Sequence, residues 1–235
     1  MSRQSAFILG VFIFLGLGAL GWFVGESAIR YKLFERTVTV KGLSEHEYKA
    51  DVVIWPIQIS VPANALGELY KKLDHDTGRI VDFLTSHGID RSDITLAQPL
   101  IQDKVAQSYD NRKLAFRYIG RQNITVYSKR VDEVRRLMSG LAKLGREGIA
   151  FSGNEYDMRP EYLFTRLNEV KPSMIEEATM KAREVALKFA KDSDSKLGKI
   201  KQARQGQFTI LQRDRNNPHI KKVRVVSTVE YYLSD

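Results

Sequence analysis

The sequence predicts an α+β fold: a largely antiparallel sheet with three packed helices, in the order ββ-α-ββ-α-β-α-ββ, preceded by one transmembrane helix. Three observations lead there. Residues 6–25 form an unbroken apolar run. Beyond it, stretches that alternate apolar and polar residues outnumber those with a helical period. Short polar breaks join the alternating stretches, as in hairpins, so helices are expected on a mostly antiparallel sheet.

The run AFILGVFIFLGLGALGWFVG carries no charge over its 20 residues. At about 1.5 Å of rise per residue it is long enough for a hydrocarbon core of about 30 Å. Trp22 lies near one end, where an amphipathic ring suits the headgroup layer. Gly21 and Gly25 have the GxxxG spacing that lets spans approach, a weak signal in so glycine-rich a segment. The competing reading is a cleaved signal peptide, with Arg3 as the positive start and a cut after Gly21 that places Ala19 at −3. The run exceeds the usual h-region of about 7–15 residues, which favours an uncleaved signal anchor. The expected organisation is a short N-terminal segment (1–5), the anchor (6–25), a tether (26–36) and one domain (37–235).

The elements follow in order. Residues 37–42, TVTVKG, alternate as a half-buried strand does. In a second strand over 51–61, Val53, Trp55, Ile57, Ile59 and Val61 share a face. Pro56 cannot donate to a ladder and places that strand at an edge or a bulge. Asn64 is the expected N-cap of the first soluble helix, whose stripe is Leu66, Leu69, Tyr70, Leu73, Thr77, Ile80, Val81 and Leu84. Gly88 should end it in a left-handed turn. Strands over 94–106 and 114–128 flank the polar stretch 108–112, expected as a hairpin loop.

A second helix over 131–144 turns Val131, Val134, Met138 and Leu141 inward and stops at Gly145. An extended region covers 148–166. The third helix starts near Pro172 and runs to about 192, with Ala178, Ala182, Ala186 and Ala190 in one row flanked by Ile175, Val185 and Phe189. Small side chains at that spacing let a helix axis sit close to its neighbour. Strands over 199–211 and 223–233 close the chain around the loop RDRNNPHIKK; Val223, Val225, Val229, Tyr231 and Leu233 share a face.

Three stretches, taken in this order and spacing, resemble the SIMPL-domain family. They are FLTSHGIDRSDITLAQPLI, FRYIGRQNITVYSKRVDEVRRLMSGLAKLG and EEATMKAREVALKFAKDSDSKLGKI, which spread over nearly the whole of 37–233. The family is long described as a domain of unknown function. Its bacterial members include proteins named for oxidative stress defence and periplasmic immunogenic proteins. The resemblance implies an α+β fold, a periplasmic or cell-surface location, and assembly into a homo-oligomer. It supplies no agreed catalytic residues.

Little else points to chemistry. The chain has no cysteine, which excludes disulfides, thiol chemistry and Cys-based metal sites. His46, His75, His87 and His219 have no zinc-ligand spacing, and Asp74-His75-Asp76 point in different directions on a helix. No P-loop, Rossmann fingerprint or G-x-S-x-G elbow is present. Glu176-Glu177 are expected in the first turns of a helix, where carboxylates favour the dipole. No catalytic, cofactor-binding or metal-binding residue is therefore expected, nor a cofactor, and the chain is read as a non-enzyme.

The net charge of +9 reads first as a well-solvated surface of mixed charge; beyond that it leaves two kinds of partner. Anionic lipid or another envelope polyanion would meet a basic surface. Lys129-Arg130, Arg135-Arg136 and Lys221-Lys222-Val-Arg224, with Tyr118 and Tyr127, are the residues a nucleic acid would use. Interleaved Asp132 and Glu133 and the membrane anchor count against nucleic acid. On topology the signals conflict: Arg30, Lys32 and Arg36 after the run lean toward a cytoplasmic domain, whereas the resemblance implies an inner (plasma) membrane anchor with the domain outside.

Overall fold

The computed structural model describes residues 3–34, 36–107, 115–153 and 158–234, with side chains 3–6, 8–9, 28–34 and 107 left aside. The loop expected over 108–112, the first residue of the strand expected from 114, and part of the extended region 148–166 lie outside the described residues. The chain is α+β with antiparallel sheets.

Helix α1, Arg3–Phe34, contains the apolar run. Its window Gly10–Ser27 has a mean hydropathy of 1.5 and none of it is buried, so this helix is long and apolar enough to cross a membrane. The segment expected as a tether continues the helix almost to its end. Residues 26–34 contain neither Gly nor Pro, so nothing local breaks it.

The rest divides into two compact units built from interleaved segments. One comprises Glu47–Glu169 and Ile210–Lys222. Its sheet is centred on β2 (Val52–Ala63) and β5 (Tyr118–Ser128), paired antiparallel from Val53↔Ser128 to Ala63↔Tyr118. The short strands β3 (Ile94–Leu96) and β4 (Leu100–Asp103) both pair with β5, where one continuous strand was expected. A short helix α3, Lys104–Gln107, follows β4. Strand β6, Glu161–Leu163, covers only Val52–Ile54 of β2, and Ile59 bridges Phe151. Pro56 falls in the gap between these two outer pairings, so its missing N–H interrupts no ladder.

Helix α2, Leu66–Ser86, lays Leu69, Leu73, Ile80 and Leu84 on the inward row Val53, Trp55, Ile57, Ile59 and Val61. Leu66 and Tyr70, expected in the stripe, are exposed at its margin, so the covered arc is narrower than the apolar one. Asn64 does not cap the helix. Ala65 occupies the cap, and Asn64 Oδ1 accepts instead from Arg117 N–H at 3.1 Å. Gly88 does take the left-handed turn, at φ +93°. The second expected helix is two pieces, α4 (Val131–Met138) and α5 (Leu141–Arg146). They break at Gly140, where a Cβ would stand 2.8 Å from the Phe83 ring. Gly145 lies inside α5, and the chain turns at Gly148, φ +101°.

The other unit comprises Met1–His46, Val170–Thr209 and Val223–Asp235. Its sheet has the order β1-β9-β7, formed by β1 (Thr37–Lys49), β9 (Ile220–Ser234) and β7 (Lys196–Gln205); β8 (Thr209–Gln212) also pairs with β9, and most of β8 and the first residues of β9 fall within 210–222 of the first unit. Strands β7 and β8 replace the single strand expected over 199–211. Helix α6, Leu167–Asp192, begins before Pro172, which lies inside it.

Ala178, Ala182, Ala186 and Ala190 of α6 are all buried, and Ala182 and Ala186 meet Val40, Val229 and Tyr231. The closest approach is at Gly42, where a Cβ would fall 1.8 Å from the Ala178 carbonyl oxygen and 2.5 Å from the Ala182 nitrogen. Only a residue without Cβ fits there.

Gly42→Ala should therefore lower stability by about 1–3 kcal/mol through overpacking. Gly78→Ala, in the middle of α2 with nothing within 4 Å of its added methyl, should raise it by up to about 1 kcal/mol. Denaturant titration of the full chain in detergent measures both; equal effects would mean that the contact is not constraining.

Candidate functional site

The alanine row draws α6 toward the sheet and leaves the helix shoulder beside the edge strand β7. Glu176, Thr179, Met180 and Arg183 line one wall of the groove formed there. Gly198, Lys199 and Ile200 of β7 form the other, with Tyr231 of β9. Its volume is about 620 Å³, within the range of small-molecule sites, roughly 300–1,000 Å³. All of these residues belong to one unit.

Local sequence explains the wall. Ile200 lies opposite Tyr231 in the ladder, so the two side chains share a face. The register slips between Leu197 and Ile200, a β-bulge that takes Gly198 and Lys199 out of regular pairing. A bulge re-aims side chains at such a point. A Cβ on Gly198 would stand 3.0 Å from the Tyr232 carbonyl oxygen, so the bulged strand lies close to its neighbour.

The groove has two electrostatic features. Among the described residues neither Arg183 nor Lys199 has an ion-pair partner, although both are exposed. Tyr231 is only 3% exposed, yet its hydroxyl is buried without a hydrogen-bond partner. A buried hydroxyl left unpaired costs about 1–3 kcal/mol.

A second polar cluster lies elsewhere on α6. Glu177 accepts from Ser44 Oγ–H at 2.5 Å and from Lys181 Nζ–H at 2.6 Å, and His46 Nε2 stands 2.5 Å from the same carboxylate. Lys181 above all, then Ser44 and His46, hold its pKa down to about 2. Because α6 starts at Leu167, Glu176-Glu177 sit well beyond its first turn, which overturns the dipole role expected for them. Every donor around Glu177 is already satisfied by it, which suits a structural tie between β1 and α6.

In the other unit, Asp132, Arg135 and Arg136 of α4 line a recess of about 300 Å³. Asp132 pairs with Arg135 at 3.4 Å and with Lys49 at 3.6 Å. His219 is buried with Nδ1 unpartnered; burial, then the Arg135 guanidinium, hold its pKa below the usual value. The Tyr162 ring meets it edge-on at 6.0 Å.

The other basic runs are not a continuous face. Arg130 donates to Gly88 O and Asp90 Oδ2, both at 2.7 Å. Lys221 is buried, which pushes its pKa down. Tyr118 is covered by Arg117 of its own chain at 4.9 Å. His87 is tied to Phe83 O at 2.7 Å, and His75 is exposed on α2. Among the described residues no group of three or more His, Asp or Glu is placed to hold a metal ion.

The Glu177 tie has a pH signature. A carboxylate whose folded pKa is depressed contributes stability above its ordinary value, and loses it as pH falls through the folded value. Glu177→Gln should thus be less stable than the parent at pH 7. The gap should stay constant down to about pH 5 and close as pH approaches 2. Thermal midpoints across that range measure it; a gap independent of pH would remove the carboxylate from the account.

The family suggested by the three sequence stretches can now be compared with the fold. No curated protein matches the chain. The family model SIMPL, "Protein of unknown function (DUF541)", matches residues 38–228, from β1 into β9. That match contains the Glu177 tie and every groove residue except Tyr231, and the chain belongs to the SIMPL family.

Proposed function

We propose that this chain is a non-enzymatic envelope protein, held in the inner (plasma) membrane by residues 6–25, whose SIMPL domain stands in the periplasm or outside the cell. The domain works in a homo-oligomeric assembly, with a part in envelope or oxidative stress protection. One observation carries the assembly reading: α6 leaves Val185 and Phe189, one turn apart on the same flank, exposed, Phe189 at 55%, beside its buried alanines. Clustered apolar side chains on one helix suit a protein partner better than water. The anchor reading is supported by the single long apolar helix at the N-terminus.

A second reading, a binding module for an anionic or apolar envelope ligand such as a lipid headgroup or polyanion, is favoured by the groove between α6 and β7. Nucleic acid is the weaker partner, because Arg130 and Arg135 pair with acidic neighbours.

Light scattering of the detergent-solubilised full chain should give a mass of several copies, and Phe189→Asp should reduce it. A strict monomer at high concentration would sink the assembly reading. A C-terminal reporter active only outside the cytoplasm should be active, with the N-terminal run retained on the mature chain. Activity confined to a cytoplasmic reporter would overturn the topology.

A further inference from the structure

We propose that the groove between α6 and β7 binds a single-chain anionic amphiphile of the fatty-acid class, its chain along Met180 and Ile200 and its carboxylate at Arg183 and Lys199. The inference rests on the second reading above, that the domain holds an envelope ligand.

The apolar part of the ligand follows from the walls. Met180 and Ile200 are half-exposed, at 56% and 48%, and line the groove. A chain of methylene groups removes this surface from water without needing a directional partner. The volume of about 620 Å³ holds one acyl chain with a compact head.

The charge of the ligand follows from the rim. Arg183 and Lys199 are cations with no acidic partner among the described residues, and the bulge in β7 presents Lys199 at this wall. Glu176 lies seven residues before Arg183 on the same helix, about 10 Å along the axis. The groove therefore has an acidic end and a basic end, and an anionic head belongs at the basic one.

A carboxylate at Arg183 and Lys199 supplies the counter-charge both lack, through charge-assisted hydrogen bonds. A source of such a ligand is close if α1 lies in a membrane, since the unit that holds the groove also contains α1, and its β1 starts three residues after that helix ends.

The test uses the full chain in nanodiscs of zwitterionic phosphatidylcholine, with a palmitate analogue carrying a photoactivatable diazirine on its chain. Adducts are mapped by mass spectrometry. The expected result is labelling of peptides within 176–183 or 198–200, competed by unlabelled palmitate at concentrations at least tenfold below those of hexadecanol. Met180→Glu and Ile200→Glu should each cut labelling at least tenfold with an unchanged thermal midpoint. Arg183→Gln should weaken palmitate competition several-fold while leaving that of hexadecanol unchanged.

Adducts confined to α1, or unaffected by Met180→Glu and Ile200→Glu, would overturn the proposal. Equal competition by hexadecanol would overturn the anionic class while leaving a binding module in place. Absence of groove labelling together with a smaller assembly for Ile200→Glu would assign the groove to a second copy of the chain. That outcome overturns the ligand and the binding-module reading alike, and favours the assembly.

Discussion

Gly42 and the alanine row of α6 meet backbone to backbone, and the sheet of the unit that holds the N-terminal apolar helix is organised around that contact. A helix with large inward side chains stands about 8–10 Å from its neighbour. Here the missing Cβ of Gly42 and the single methyl groups of Ala178 and Ala182 bring the axis closer. Glu177 is thereby carried to Ser44 and His46 on one side of the contact. On the other side the helix shoulder, from Glu176 to Arg183, is set down beside β7. The groove and the buried hydroxyl of Tyr231 are consequences of the same close approach.

The positive excess has a different meaning in the fold than in the composition. Charges that read as basic runs are largely spent locally: Arg130 on Asp90 and Gly88, Arg135 on Asp132, Arg213 on Asp214 and Glu47. Lys221 is buried. What distinguishes Arg183 and Lys199 is that, among the described residues, they have no acidic partner and border a groove with apolar walls. A cation in that setting is less screened than one on an open surface, so an anion placed there gains more from it.

Much of the architecture was legible because it depends on local period. The inward row of β2, the core stripe of α2 and the alanine row of α6 appear in the sequence as the periods of strand and helix, and the turn at Gly88 as a glycine at the end of a helical pattern. The differences arise where a distant partner competes with a local preference. Asn64 could have capped α2, but its carbonyl oxygen is taken by Arg117, 53 positions away in the chain. The α4–α5 break is set by the Phe83 ring against Gly140, and a propensity reading sees only one helix there. The groove was hidden for the same reason: Ile200 faces Tyr231 only through a register that contains a bulge.

By itself the sequence determined that one N-terminal segment is apolar enough to span a membrane, which faces of the strands and helices turn inward, and which family the domain resembles. Those properties are carried by hydrophobicity and by the periods of helix and strand, which act between near neighbours in the chain. Only the tertiary structure decided which cations remain unpaired, that the Tyr231 hydroxyl is buried without an acceptor, and that a groove lies between α6 and β7. Each of these depends on segments distant in the chain meeting at a set register and distance. Burial and electrostatic pairing belong to that meeting, not to any one segment.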